Sequence, residues 1–166
     1  MHDSKIESER TVLTSFEDVK TGVVSVASLA ERQITILTPD LEPGIYDSEE
    51  FLEALKRLVL ARRYAKVRVL ISDPRRTVRN GNQLVALARR LNSFIEFRNL
   101  HPDFRGQLPA AYIIADDKAL LYRANGGGYD GIMGNFEPVV ARQHLAEFEQ
   151  PWEASVHERE EPLRQA

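Results

Sequence analysis

Cysteine is absent from all 166 residues, which excludes disulfides, a thiolate nucleophile and any cysteine-ligated metal. Histidine is scarce. His2 and His157 fall near the chain ends, and His101 and His144 show no ligand spacing, so neither a metal nor another cofactor is expected. No stretch approaches the ~20 consecutive apolar residues that cross a bilayer. Met1 to Arg10 carries no apolar run behind a basic start, so neither a membrane span nor a signal peptide is expected, and the expected location is the cytoplasm. Neither sign of charge dominates: 22 Lys and Arg stand against 25 Asp and Glu, a formal net charge of -3. The molecule as a whole is therefore not drawn electrostatically to polyanions. Nucleic-acid binding needs a basic stripe interleaved with stacking aromatics, and the aromatics here mostly fall at core spacing, so nucleic acid is not an expected partner.

What is present is an ordinary globular balance, with 43 % apolar and 28 % charged residues, and a length that suits one domain with a real core. Thr14-x-x-Glu17 has the form of a capping box, followed by Phe16, Val19, Val23, Val26, Ala27 and Ala30 on one helical face. Ile34 to Thr38 reads as a strand ended by Pro39. Asp47-x-x-Glu50 opens a second helix with Phe51, Leu52, Leu55, Leu58 and Val59 inward. Lys66 to Ile71 is a strand. Ser72 to Gly81 is a turn-rich link to a helix starting at Asn80 that aligns Leu84, Leu87, Ala88 and Leu91, and Phe94 to Arg98 is the next strand. Pro138 to Phe148 reads as a closing helix, with Trp152 anchored on the core. This alternation predicts an α/β domain over residues 14–156, its sheet mixed but mostly parallel and flanked by helices. Residues 1–13 and the charged tail 157–166 are expected to be flexible.

The segment from Leu108 to Asn125 reads as a buried strand, a tight turn at Asp116-Asp117-Lys118 and a return strand. Its pattern resembles the His-x-Lys-x-x-x-x-Asp motif of the phospholipase D superfamily. Asp116 stands at the aspartate, but Pro109 and Ala111 occupy the histidine and lysine positions. The order of elements from Ser15 to Ala154 is similar to one half of such a protein, and Phe148-x-x-x-Trp152 resembles the aromatic end found there. The resemblance implies a phospholipase D-like fold and an assembly in which two halves meet, here a homodimer. It also implies that Arg123, Ala124 and Asn125 line the site. Family chemistry needs a histidine to attack phosphorus and cations over the nonbridging oxygens, and neither proline nor alanine can do either.

Other residues could carry a function. Arg75, Arg76 and Arg79 follow the second strand, where α/β sheets form their ligand crevice, and three guanidinium groups could grip a phosphate-containing ligand; they also read as a solvated turn. Backbone donors at the Asn80 helix start would add to such a site. Arg62-Arg63-x-x-Lys66 and Arg89-Arg90 sit at helix ends, where the helix dipole alone accounts for them. The glycine-rich stretch from Ala124 to Phe136 lacks the Lys-Ser/Thr ending of a P-loop. It reads either as an irregular connection or as a place where Tyr129, Asp130 and Asn135 line a remnant pocket beside Asp116 and Arg123. Asp116 could equally serve an Asx turn. The leading expectation is a non-catalytic binding or protein-interaction module. The alternatives are an enzyme with relocated chemistry, using His101 as nucleophile with Arg75, Arg79 or Arg123 as clamps, and an accessory domain for phosphate-containing ligands.

Overall fold

The computed structural model describes residues 9–77 and 81–157. Within them the chain forms β1 (Thr11–Leu13), α1 (Phe16–Ser28), β2 (Gln33–Thr38), α2 (Glu49–Ala61), β3 (Lys66–Ile71), α3 (Gln83–Arg90) and β4 (Ile95–Asn99). It continues with β5 (Ala111–Ala115), β6 (Ala119–Arg123), β7 (Gly131–Gly134), α4 (Pro138–Ala154) and β8 (Val156–His157). Short 3-10 turns cover Pro74–Arg76 and Pro102–Phe104.

The expected helices form, with their caps displaced. Ser15, not Thr14, accepts from the Asp18 amide at 3.1 Å, while the Asp18 carboxylate takes the Thr14 amide at 2.9 Å. Ser48, not Asp47, caps α2 by accepting from Phe51 at 3.2 Å, because the Asp47 carboxylate is turned back to the Gly44 amide at 2.6 Å. Asn82 caps α3, which begins at Gln83, by accepting from Leu84 and Val85, and the expected start at Asn80 falls outside the described residues. Each hydroxyl or amide cap satisfies an amide that the first turn leaves without a partner.

The described strands join one sheet in the order β1-β7-β6-β5-β2-β3-β4-β8. The α/β class and the mixed sheet match the expectation; the balance of directions does not. Only β2 with β3 and β3 with β4 pair in parallel, and the other pairings are antiparallel. The reason is local. Crossover helices impose parallel pairing on β2, β3 and β4 alone, whereas the turn at Asp116 and the loop after Arg123 fold β5, β6 and β7 back on one another. Thr11–Leu13, expected in the flexible N-terminal segment, pairs with β7. Residues 1–8 and 158–166 lie outside the described residues.

Period-two alternation sorts the strand side chains onto two faces. Ile34, Ile36, Val67, Val69, Ile113 and Leu121 pack beneath α1, α2 and α3. Leu37, Leu70, Tyr112, Ile114 and Leu120 pack beneath α4 with Phe148 and Trp152. Trp152 is buried as expected, with the Arg98 guanidinium 4.3 Å above its ring and donating to its carbonyl at 2.8 Å. Pro151 lies inside α4, so the helix continues past Phe148 to Ala154, where the Ser155 hydroxyl bonds the Pro151 carbonyl. No helix among the described residues is long and apolar enough to cross a membrane.

Candidate functional site

The carboxyl ends of β2, β3 and β4 share one end of the sheet with Ala111, where β5 starts, and Arg123, where β6 stops. Ala111 and Arg123 are directly paired. Their side chains therefore share the face that also carries Ile113, as alternation requires. Arg123 is 1 % exposed. A charge this deep needs a partner, and Glu42 supplies it: Arg123 Nη2 donates to both carboxylate oxygens at 2.7 Å. Nη1 donates to the Gly128 carbonyl at 2.7 Å and reaches the Gly126 carbonyl at 3.4 Å. The Thr38 hydroxyl donates to Glu42 Oε2 at 2.9 Å. Among the described residues Arg123 Nε is buried without a hydrogen-bond partner.

The loop after β2 makes this pair. Leu41 and Glu42 both take left-handed backbone angles, φ 67° and 38°, a costly conformation for residues other than glycine. The Asp40 carboxylate accepts from the Glu42 amide at 3.1 Å and holds the turn. Burial pushes the Glu42 carboxyl above the ordinary carboxylate range, and the Arg123 charge and Thr38 hydroxyl pull it part of the way back. Tyr46, fully buried nearby, has a hydroxyl without a hydrogen-bond partner among the described residues, and burial raises its pKa.

The glycine-rich stretch covers this corner. The Gly126 amide donates to the Pro109 carbonyl at 2.7 Å. A Cβ placed on Gly126 would lie 3.2 Å from the Ala111 methyl, so the loop lies directly on the residue at the motif's lysine position. Ala111 is fully buried in consequence, while Pro109 is exposed. Asn125 closes the loop by accepting from the Gly127 amide at 2.8 Å. Beyond it the chain becomes β7, so the expected irregular connection contains a strand. A Cβ at Gly131 would meet the Tyr122 carbonyl at 2.6 Å and Arg123 Cγ at 2.7 Å, which requires glycine there.

The other expected site residues do not gather here. Asp116 lies just past the opposite end of β5, five residues on from Ala111, the partner of Arg123, roughly 16 Å along the sheet at ~3.3 Å per residue. Its carboxylate accepts from the amides of Glu31, Arg32 and Gln33 at 2.8 to 3.3 Å, and it sits at φ 56°. It anchors the turn between α1 and β2. Tyr129 meets Phe16 edge-on at 5.7 Å. Asp130 is exposed just ahead of β7. Asn135 follows β7 beside α1, at the same end as Asp116. The remnant pocket expected from these residues is therefore not assembled.

His101 lies at the carboxyl end of β4. Three strands separate it from Arg123, roughly 19 Å at ~4.8 Å per strand. Its Nδ1 accepts from the Asp103 amide at 3.0 Å, capping the 3-10 turn. Arg76 pairs with Asp40 at 3.4 Å and Asp73 at 3.6 Å, and Arg75 is exposed. Arg79 and Asn80 lie outside the described residues. His144 is half-buried and stacks on Tyr122 with ring centroids 4.5 Å apart. Sequence reasoning missed Glu42. The signal was there: a charged residue at the end of Ala119–Arg123 on an inward-facing position demands a carboxylate close by, and Asp40 and Glu42 stand at the matching strand end.

With this geometry defined, the fold can be placed. The chain superposes on Nuc, a phospholipase D family member from Salmonella typhimurium, with a TM-score of 0.59 at 16 % identity, covering 90 % of this chain and 98 % of that one. It is comparably similar to NucT from Helicobacter pylori, with a TM-score of 0.60 at 15 % identity over 91 % and 99 %. TrmBL2, an archaeal chromatin protein with a novel mode of DNA binding, gives a TM-score of 0.63 at 14 % identity over 89 % of this chain and 52 % of that one. These likenesses define a phospholipase D-like fold. The chain belongs to the family described as Domain of unknown function (DUF7931), whose model matches residues 15–165. No curated protein matches it significantly in sequence.

Proposed function

We propose that this protein is a non-catalytic phospholipase D-like module that acts by binding. The observation that carries the reading is the burial of Ala111 beneath Gly126, next to an Arg123 whose guanidinium is taken up by Glu42 and the Gly128 carbonyl. The corner that resembles a phosphoryl-transfer site thus offers a methyl group, a proline ring and a neutralised ion pair. None of these can bond to phosphorus or leave a free cation for its oxygens. Apolar Val12 and Ile132, 72 % and 47 % exposed and paired across β1 and β7, support a protein contact at this edge, with a homodimer as the assembly the resemblance implies.

Chemistry relocated to His101 has less support, because its ring nitrogen caps a local turn and the clamp residues stand apart from it. A phosphate-binding role for Arg75 and Arg76 is weakened by the two carboxylates already holding Arg76. The test is turnover by the purified protein of a model phosphodiester, DNA and phospholipid. No rate above buffer is expected. Sustained turnover that disappears in His101→Ala protein with an unchanged fold would overturn the reading in favour of relocated chemistry.

A further inference from the structure

The opposite end of the sheet carries a surface unrelated to phosphodiester chemistry. α2 stops at Ala61 and the chain turns back into β3 at Lys66. Arg57, Arg62, Arg63 and Lys66 are all exposed around this turn, and none of the ion pairs among the described residues includes them. The Lys66 amide donates to the Arg32 carbonyl at 3.2 Å, so Arg32 joins Tyr64 and Lys66 along one groove. The acids of that groove are engaged: Asp117 pairs with Arg142 at 3.0 Å, and Asp116 is turned to backbone amides. Glu31 is the exposed acid beside it. The corner is therefore cationic in a chain whose formal net charge is -3.

Two apolar side chains stand among these cations. Leu60 is 83 % exposed and Tyr64 62 %. The buried face of α2 is Phe51, Ala54, Leu55, Leu58 and Val59, and helical spacing puts Leu60 directly opposite it. The helix dipole accounts for arginines at this end, but it gives no reason for an unpacked leucine and tyrosine beside them. A nucleic acid would use the cations and could stack on Tyr64, yet it leaves an aliphatic leucine without a role. A bilayer interface uses all three: Lys and Arg meet anionic headgroups while leucine and tyrosine enter the apolar boundary. From this charge complementarity and the exposed Leu60, we infer that the α2–β3 corner docks on an anionic lipid surface. The proposal is independent of whether the Ala111 corner is catalytic.

Flotation of the full chain with vesicles of phosphatidylcholine alone, or with about 30 % phosphatidylglycerol, tests it. Binding is expected only to the anionic vesicles, and it weakens as salt is added. Arg62→Glu/Arg63→Glu should lower partitioning by at least about 30-fold. Leu60→Ser/Tyr64→Ser should lower it about tenfold while keeping its salt dependence. These residues are exposed, so circular dichroism should report unchanged folding. Absence of wild-type binding at low salt overturns the proposal. So does Leu60→Ser/Tyr64→Ser protein that floats like wild type, or an oligonucleotide that binds through these arginines when vesicles do not.

Discussion

The two ends of this sheet handle charge in opposite ways. At the end where β2 finishes and β6 stops, Arg123 is sealed inside, neutralised by Glu42 and roofed by the glycine-rich loop. At the other, four cations around the α2–β3 turn, with Arg32 beside them, stand in solvent without an ionic partner among the described residues. A buried charge is tolerable only when paired and hydrogen-bonded, so the first end is committed to structure. Exposed charges cost little to keep and remain free to meet a partner. The part of the fold that a familiar motif singles out is thus the less available one.

The sharpest way to break this contrast is to restore a cation at the covered end. Ala111→Lys would place an ammonium group against Arg123 and under the Gly126 backbone, and should destabilise by more than about 3 kcal/mol. Pro109→His, at an exposed position, should shift stability by less than about 1 kcal/mol. Urea unfolding of both variants decides between a closed corner and an open cleft; a stable, fully folded Ala111→Lys protein would show that the loop yields easily.

Next in size is the ion pair. Glu42→Ala leaves Arg123 charged and buried and should cost about 3–5 kcal/mol, whereas Glu42→Leu/Arg123→Met should recover much of that loss. A double variant no better than the single would mean that the carbonyl bonds from Gly126 and Gly128, more than the charge, require arginine.

The smallest effect concerns Tyr46. Its buried hydroxyl makes no hydrogen bond among the described residues, so Tyr46→Phe should change stability near neutral pH by less than about 1 kcal/mol. Alkaline pH separates the two proteins. Burial raises the folded-state pKa of Tyr46, so its contribution is complete below the ordinary tyrosine value of 10.0 and is lost as pH rises beyond it, where the unfolded chain ionises and the folded one does not. Wild type should therefore lose stability faster than Tyr46→Phe above that pH, as thermal melts across an alkaline series would show.

The helices and central strands were legible because their signal is short-range. Val19, Val23, Val26 and Ala27 recur at helical spacing, and Val67 and Val69 alternate, whatever the rest of the chain does. The caps at Ser15, Ser48 and Asn82 each stood within two residues of the expected one, since neighbouring polar side chains compete for the same amides and packing picks the winner. β1 and β7 were not legible: three and four residues long, with two glycines in β7, they are too short to show an alternating pattern and exist because each pairs with a neighbour. The candidate site was legible only in part. Asp116 and Arg123 both lie in the motif segment, but their separation follows from β5 running away from the β6 end.

From its residues alone the chain determined that it is an α/β domain without cysteine chemistry, and that no imidazole or ammonium group stands at the two motif positions, because those facts reside in side-chain identity and local periodicity. Tertiary structure alone decided that Glu42 meets Arg123 across 81 positions of chain, that Gly126 covers Ala111, and that Leu60 and Tyr64 emerge among exposed cations. Such outcomes depend on strand order and chain direction, which bring distant side chains together irrespective of their spacing in the sequence.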